Sequence, residues 1–274
     1  MTMPLHFVLV RHGQSEGNVA QGKSRQGDHS LFTPEFQQIH SSQYHLTQKG
    51  RQQAAKAGKW IEENIGSTFK RYYVSEYVRA VETAALLNLP QAKWFKNPFL
   101  REREVGDWDG LSELDRQEKF LRHVLARKND GYFWKPPNGE SIAELCLRIH
   151  RFLDTVHRGH SDSSVITVCH GEVMWAFRIM LERLSQNKFN ELRRSKNPAN
   201  QIHNGQVIHY TRQNPKDQQD IHPYPTWVRS VCTTDLTLSR PPKKWWKEIE
   251  RPVYSSEDLL AEAKGVPWHL PGES

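Results

Sequence analysis

Two short apolar runs in the sequence end in the same way, on a histidine followed by a glycine. They end in Arg11-His12-Gly13 after residues 6–10 and in His170-Gly171 after residues 165–169. An arginine offers paired donors that match phosphate oxygens, and an imidazole becomes a nucleophile when its other ring nitrogen is held by a hydrogen bond. A lone histidine of this kind is more often an ordinary surface or core residue. The recurrence favours a pocket for an anion, specifically a phosphoryl group.

The two histidines need a sheet that brings them to one edge. Short β-type runs are separated by longer segments with helical periodicity, and the helical segments are 47–64, 79–88, 140–157 and 171–184. Strands that alternate with helices indicate a sheet covered on both faces. The sequence therefore predicts an α/β fold, a three-layer α/β/α sandwich with a mostly parallel central sheet. Ligands of such sheets bind beyond the carboxyl ends of the strands.

Two segments interrupt this alternation. Residues 19–45 are polar, show no clear period and are expected to form a long surface excursion. From Asn214 onward the composition shifts to Pro, Trp and charge, so we predict a domain over 1–213 and an extension over 214–274. The extension holds four of the nine tryptophans, which are Trp227, Trp245, Trp246 and Trp268. We therefore expect it to pack on the domain or on a partner subunit, with a short helix over 255–265.

Composition and charge narrow the classes of partner. The chain of 274 residues is 36% hydrophobic and 25% charged, which is typical of a globular domain. Its net charge is +7, although residues 214–274 carry eight Lys and Arg against nine Asp and Glu, so the excess lies in the body. No basic run interleaved with aromatic residues is present there. This favours a small anionic substrate over nucleic acid.

The sequence also bears on location and metals. No apolar run approaches the ~18 residues that span a bilayer, and the first residues lack the pattern of a signal peptide. The three cysteines, Cys146, Cys169 and Cys232, show no metal-type spacing and are expected to be buried thiols in a reducing compartment. These observations predict a cytoplasmic protein without a membrane segment. The histidines outside the two strand ends, among them His40, His45, His203 and His209, form no metal-ligand pattern.

Six segments resemble, in order, the motifs of one family. They are LVRHGQSEGN (9–18), LTQKGRQQA (46–54), VSEYVRAVETA (74–84), LREREVGDWDG (100–110), NGESIAELCLRI (138–149) and VITVCHGEVMWAF (165–177). The first is similar to the signature Arg-His-Gly-x-Ser-x-x-Asn of the histidine phosphatase superfamily, in its phosphoglycerate mutase-like branch (branch 1). The resemblance extends over residues 5 to about 211. It implies a phosphoglycerate mutase-like fold.

The resemblance also implies a role for each matching residue. It implies that His12 accepts the phosphoryl group, that Glu102 protonates the leaving oxygen, and that the phosphate is bound by Arg11, Arg79, His170, Asn18, Gly13 and Gly171. Such donors stabilise the charge that spreads over a transferring phosphoryl group, so neither metal nor cofactor is predicted. Two alternatives stay open: Arg101 or Arg103 could simply pair with Glu102, and Glu172 could border the pocket instead of only starting a helix. Asp107 and Asp109 are expected to face solvent.

The chain departs from the family's mutases at one place. Those mutases usually carry Trp-Asn after the serine and a Gly-Trp-x-Asp segment shortly beyond, whereas this chain has Glu16-Gly17-Asn18 followed by the polar excursion. The sequence therefore predicts a metal-independent phosphatase that hydrolyses a phosphorylated small molecule through a phosphohistidine on His12. A phosphoglycerate mutase-type transfer, a protein phosphatase and a non-catalytic binding module remain as alternatives. A homodimer also remains open.

Overall fold

A seven-stranded sheet organises the chain. The structure is a computed structural model that describes residues 2–241 and 246–267. The strands are β1 (His6–Arg11), β2 (Arg71–Val74), β3 (Trp94–Lys96), β4 (Ser164–Cys169), β5 (Gln206–Thr211), β6 (Gln213–Asn214), β7 (Asp217–Ile221), β8 (Trp227–Cys232) and β9 (Lys247–Glu248). Their order in the sheet is β3-β2-β4-β1-β5-β8-β9, and β6 and β7 form a separate hairpin. Strands β3, β2, β4 and β1 run parallel, and β5 is antiparallel to β1.

Helices cover both faces of this sheet. The helices in the described residues are α1 (Glu16–Ser24), α2 (Pro34–Gln38), α3 (Gln48–Asn64), α4 (Val78–Leu86), α5 (Glu113–Asn129), α6 (Ile142–Gly159), α7 (Gly171–Glu182), α8 (Gln186–Arg194) and α9 (Ser256–Lys264). Alternate residues of β1 enter two separate cores: Phe7 and Leu9 pack with α6, α7 and α8, while Val8 and Val10 pack with α3 and α4. This is the three-layer α/β/α arrangement predicted from the sequence.

Local signals in the sequence place most of these elements. Thr47 caps α3 through a hydrogen bond from the Gly50 N–H, as its position before the apolar face predicts. Helix α6, which overlaps the segment predicted as helical over 140–157, buries one apolar face along its length. The buried residues of that face include Ile142, Leu145, Ile149, Phe152 and Val156. All three cysteines are buried free thiols. None of the helices in the described residues combines the length and the apolarity that crossing a membrane requires.

The excursion over residues 19–45 contains more structure than its composition indicates. Helix α1 continues to Ser24, and α2 lies near the middle of the segment. Helix α1 buries only Ala20 and Ser24, so it has no apolar stripe that a periodicity analysis can detect. A capping box between Ser15 and Asn18 stabilises its start instead.

The sheet also continues beyond the predicted domain boundary at residue 213. Strand β8 pairs with β5, β9 pairs with β8, and Trp227 is 9% exposed. The change in composition near Asn214 therefore marks the exposed β6–β7 hairpin and not the end of the sheet. Helix α9 lies within the predicted range 255–265 and is capped by Ser255, but its side chains are exposed, so its packing on the domain or a partner stays a prediction. Trp245 and Trp268 lie outside the described residues.

A truncation pair tests whether β8 belongs to the folding unit. Ending the chain after Gln213 removes β8 and uncovers the buried side of β5, so we expect an insoluble or unfolded product. Ending it after Pro252 removes residues 253–274, whose described part is exposed and includes α9, so we expect a folded protein with a Tm within a few degrees of the full chain. Circular dichroism and thermal melts measure both. A stable, active 1–213 fragment would contradict this view of β8.

Candidate active site

The carboxyl ends of β1 and β4 bring the two predicted histidines together. Arg11 is in register with Cys169, and the His12 N–H donates to the Cys169 carbonyl at 3.0 Å. The next residue on β4 is His170, whose ring centroid lies 5.1 Å from that of His12. Both imidazoles are buried. Neighbouring parallel strands in this register are therefore what places the pair.

Two hydrogen bonds define the protonation of the His12 ring. Nδ1 lies 2.6 Å from the Gly13 carbonyl, which can only accept, so Nδ1 carries the proton. Nε2 accepts a hydrogen bond from Arg79 Nε at 3.1 Å and holds the lone pair. Burial lowers the pKa of His12 well below its ordinary value, and the charges of Arg79 and Arg11 lower it further. His12 is therefore neutral near pH 7, with Nε2 directed at the space beside Arg79.

Two arginines lie beside this nitrogen. Arg79 is 6% exposed and also donates to the Ser41 carbonyl. Arg11 donates to the Ile202 carbonyl, while its buried Nε has no partner among the described residues. A Cβ on Gly171 would lie 3.3 Å from Arg11 Nε, so the glycine leaves room for the guanidinium. The arginines give the site two positive charges with N–H groups that a phosphate oxygen can use.

His170 supplies a further polar ring. Its Nε2 is 2.7 Å from Ser75 Oγ, and its buried Nδ1 has no partner within the part of the chain that the structure describes. Burial lowers its pKa well below the ordinary value, as do the nearby charges of Arg79 and Arg11. His170 immediately precedes α7, so the positive end of that helix dipole adds to the attraction for an anion.

Glu102 faces the two histidines. One carboxylate oxygen and a ring nitrogen from each of His12 and His170 all lie within 4.8 Å of one another. Burial raises the pKa of Glu102, the charge of Glu172 raises it further, and Arg79 opposes the rise. Its Oε1 accepts the Arg103 N–H at 3.0 Å. Arg101 pairs with Glu76, and the Arg103 side chain donates to the Glu140 and Trp134 carbonyls, so neither arginine side chain neutralises Glu102.

Two residues predicted to bind phosphate have other contacts. The Gly13 N–H donates to Thr83 at 3.1 Å, and a Cβ on Gly13 would lie 2.1 Å from the Gly50 carbonyl oxygen. Gly13 is thus required for close packing against α3, and its N–H is not available to a ligand. Asn18 lines the cavity above His12, and its Oδ1 accepts from Ser15 and Asn204. These bonds leave the amide Nδ2 as the donor of that side chain.

Several residues that the sequence did not single out line a cavity above His12. A cavity of about 160 Å³ opens above His12, and the excursion contributes Phe32, Phe36, Ser41 and Tyr44 to it. Asp109 also lines the cavity and accepts the Ser41 N–H at 2.9 Å, which corrects its prediction as a solvent-facing residue, whereas Asp107 is exposed. The four-residue spacing of Phe32 and Phe36 in an otherwise polar segment is the signal that could have revealed this wall.

Glu172 begins a helix, as predicted, and borders a cavity next to the one above His12 rather than that cavity itself. It lies in the first turn of α7, and it lines a neighbouring cavity together with Arg11 and Glu102. Its Oε1 is 2.7 Å from Arg193. Burial raises the pKa of Glu172, but the surrounding arginines, led by Arg193, lower it more. Glu172 is therefore ionised, which makes it a poor proton donor.

The histidines and Glu102 are also a candidate metal site. Among the described residues, His12, Glu102 and His170 are the group with metal-ligand geometry. Their fit to a cation is poor, because the positive charges of two arginines, Arg11 and Arg79, lie beside them. The sequence prediction of a metal-free site therefore stays a prediction.

Chelation tests that prediction. Because positive charge is already supplied by Arg11 and Arg79, we expect dialysis against EDTA to leave the rate of phosphomonoester hydrolysis within about twofold of its starting value. Adding Mg²⁺ or Zn²⁺ should not raise it, and metal analysis of the active protein should find less than stoichiometric metal. Loss of activity that is restored by a divalent ion would contradict the expectation.

Comparison with known proteins agrees with this geometry. The model of the histidine phosphatase superfamily (branch 1) matches residues 7–204, and the chain belongs to that family. A 2,3-bisphosphoglycerate-dependent phosphoglycerate mutase from Bartonella bacilliformis is 32% identical over 192 residues, which are 66% of this chain and 84% of the relative. The family predicted from the sequence motifs is therefore confirmed, and it is a family of enzymes.

Solved structures share the fold. A mycobacterial glucosyl-3-phosphoglycerate phosphatase has a TM-score of 0.58 at 22% identity, covering 79% of this chain and 94% of that one. The alpha-ribazole phosphatase from Shigella flexneri has a TM-score of 0.57 at 20% identity, covering 81% of this chain and 96% of that one. The predicted phosphoglycerate mutase-like α/β fold is therefore confirmed.

Proposed function

We propose that this chain hydrolyses the phosphomonoester of a small molecule through a phosphohistidine on His12. The observation that carries the proposal is the His12 ring, whose proton is held on Nδ1 and whose Nε2 lone pair lies beside Arg79. A neutral imidazole held in this way is a nucleophile. The proposal rests equally on Arg11, His170 and Glu102, which surround the same space.

The first half of the reaction transfers the phosphoryl group to the protein. His12 Nε2 forms a bond to phosphorus while the bond from phosphorus to the ester oxygen breaks. Arg11, Arg79 and His170 stabilise the charge on the phosphoryl oxygens. Glu102 gives its proton to the leaving oxygen, which departs as an alcohol. The raised pKa of Glu102 supports this assignment, because a carboxyl group must hold a proton near pH 7 to act as an acid.

The second half releases phosphate. Glu102, now a carboxylate, accepts a proton from a water molecule as that water forms a bond to phosphorus. The bond between Nε2 and phosphorus breaks, the electron pair returns to His12, and inorganic phosphate leaves. Glu172 does not supply the proton of the first half, since Arg193 lowers its pKa and holds it as an anion.

The experiment that tests the proposal follows both product and intermediate. Incubation with a panel of small phosphomonoesters should release inorganic phosphate. Quenching in alkaline denaturant should trap a phosphoryl group on His12, located by mass spectrometry of the peptide that contains it. Phosphate release without any trapped phosphohistidine, under conditions where release of the alcohol shows a burst, would contradict the mechanism.

A mutase is the second candidate, because the similar Bartonella protein carries that name. A mutase returns the phosphoryl group to an acceptor alcohol instead of to water. Incubation with 3-phosphoglycerate and a trace of 2,3-bisphosphoglycerate separates the two: a mutase forms 2-phosphoglycerate, whereas the proposed phosphatase forms inorganic phosphate. The absence of the Trp-Asn pair after Ser15 supports the phosphatase.

Other sequence predictions remain proposals. A small-molecule substrate is supported by the cavity of about 160 Å³ above His12, which leaves the protein phosphatase as the weaker alternative. The non-catalytic module is weakened by the presence of His12, Arg79, Glu102 and His170 around one space. The proposed cytoplasmic location is supported by the three unpaired thiols. The proposed homodimer is supported by the exposed apolar residues of α9.

A further inference from the structure

The excursion places three aromatic rings over the candidate nucleophile. We call Phe32, Phe36 and Tyr44 the aromatic wall; all three line the cavity that contains His12. The Phe36 and Tyr44 rings are nearly parallel, with centroids 4.9 Å apart and planes at 6°. Phe32 meets Phe36 edge to face, with centroids 5.6 Å apart. The wall therefore borders the space into which the leaving group of a phosphomonoester on His12 must extend.

The aromatic wall is supported by its surroundings. A Cβ on Gly17 would lie 2.5 Å from the Tyr44 ring, so the glycine allows the ring to pack directly on α1. Thr33 caps α2 through the Phe36 N–H, which sets the direction of that residue. Tyr44 is buried, and Phe32 and Phe36 are partly exposed. The rings are thus held in place with apolar surface left for a ligand.

Charged side chains that line the same cavity are already hydrogen-bonded to other residues of the protein. Arg116 donates to Gln21, Glu113 and the Trp108 carbonyl. Arg103 donates to the Glu140 and Trp134 carbonyls. Asp109 adds a carboxylate to the cavity lining, which repels a second anionic group on the substrate. The part of the cavity that is free to select a leaving group is therefore the aromatic wall.

We propose that the leaving group accepted by this site is an alcohol that carries one aromatic ring, bound against Phe32, Phe36 and Tyr44. This inference rests on the proposed phosphatase function. The position of the three rings agrees with it, since they line the same cavity as His12, Arg79 and Glu102 and leave apolar surface beside the space for the phosphoryl group. Aromatic pairs also gain free energy beyond the burial of apolar area, which favours an aryl group over an alkyl group of the same size.

The test compares three substrates whose leaving alcohols have similar reactivity: 2-phenylethyl, 2-cyclohexylethyl and ethyl phosphate. We expect kcat/KM for 2-phenylethyl phosphate to exceed that for ethyl phosphate by more than about tenfold, with the cyclohexyl ester in between. Phe36→Ala should lower kcat/KM for the phenyl ester roughly tenfold, mainly through KM, and lower kcat/KM for ethyl phosphate by a clearly smaller factor. The kcat/KM of Phe36→Leu for the phenyl ester should lie between those of the wild-type protein and Phe36→Ala.

A matched control and two distinct negative outcomes complete the test. Phe133 is 60% exposed and does not line this cavity, so Phe133→Ala should behave as wild type on all three esters. Turnover of ethyl phosphate by Phe36→Ala shows that the variant is folded. Hydrolysis of all three esters at equal kcat/KM would overturn the inference and leave the phosphatase intact. Hydrolysis of none, including activated aryl phosphates, would instead refute the proposed function.

Discussion

Replacing His12 by alanine should reduce hydrolysis of any phosphomonoester by at least about 10⁴-fold and abolish the trapped phosphoenzyme. The variant loses the one nitrogen whose lone pair faces the site, and water alone cannot form the covalent intermediate. The arginines and His170 remain, so the variant should still bind phosphate. Stopped-flow and quench measurements give the rate, and calorimetric titration with inorganic phosphate gives the binding.

The control for this prediction is another histidine of the same chain. His150 lies on α6 with its side chain 57% exposed, and His150→Ala should keep activity within about twofold of wild type. Near-wild-type turnover in His12→Ala would show that the reaction does not proceed through His12. Equal losses in both variants would indicate a general effect of substitution rather than catalysis.

Replacing Glu102 by glutamine should affect substrates according to their leaving groups. Glutamine cannot donate a proton to the ester oxygen, so alkyl phosphates should slow by roughly 10²- to 10⁴-fold. 4-Nitrophenyl phosphate, whose leaving group needs little protonation, should slow by less than about tenfold in the burst of 4-nitrophenol release, which measures the first half of the reaction and not the water attack that Glu102 also assists. The ratio of the two rates in one preparation cancels errors in the concentration of active protein. Equal losses on both substrates would assign Glu102 to another role, and Glu104 would be tested next.

The pH dependence follows from the directions of the two pKa shifts. Glu102 must be protonated to act as the acid, and its pKa is raised by burial and by Glu172, so the rate on alkyl phosphates should fall as the pH rises through that raised value. His12 must be neutral to attack, and its pKa is lowered, so the rate should fall on the acid side only below the ordinary histidine range. The alkaline fall should disappear in Glu102→Gln.

Much of the fold could be predicted from local sequence. Strands β1 and β4 and helices α3 and α6 are visible because a buried face imposes a regular spacing of apolar residues and because caps such as Thr47 are local signals. The pairing of His12 with His170 could also be expected, since parallel strands end at one edge of a sheet. The second arginine and the acid came from resemblance to a family and not from spacing.

The wall of the cavity was decided by tertiary structure alone. Phe32 and Phe36 are one helical turn apart, but Asp109 is more than 70 residues further along the chain, and only the folded excursion brings all three to the cavity above His12. Gly13 has a glycine-specific contact with Gly50 that no local pattern predicts. Strand β8 lies beyond a change in composition and joins the sheet through hydrogen bonds to β5. Periodicity reports which face of an element is buried, whereas the partner it is buried against depends on contacts between distant residues.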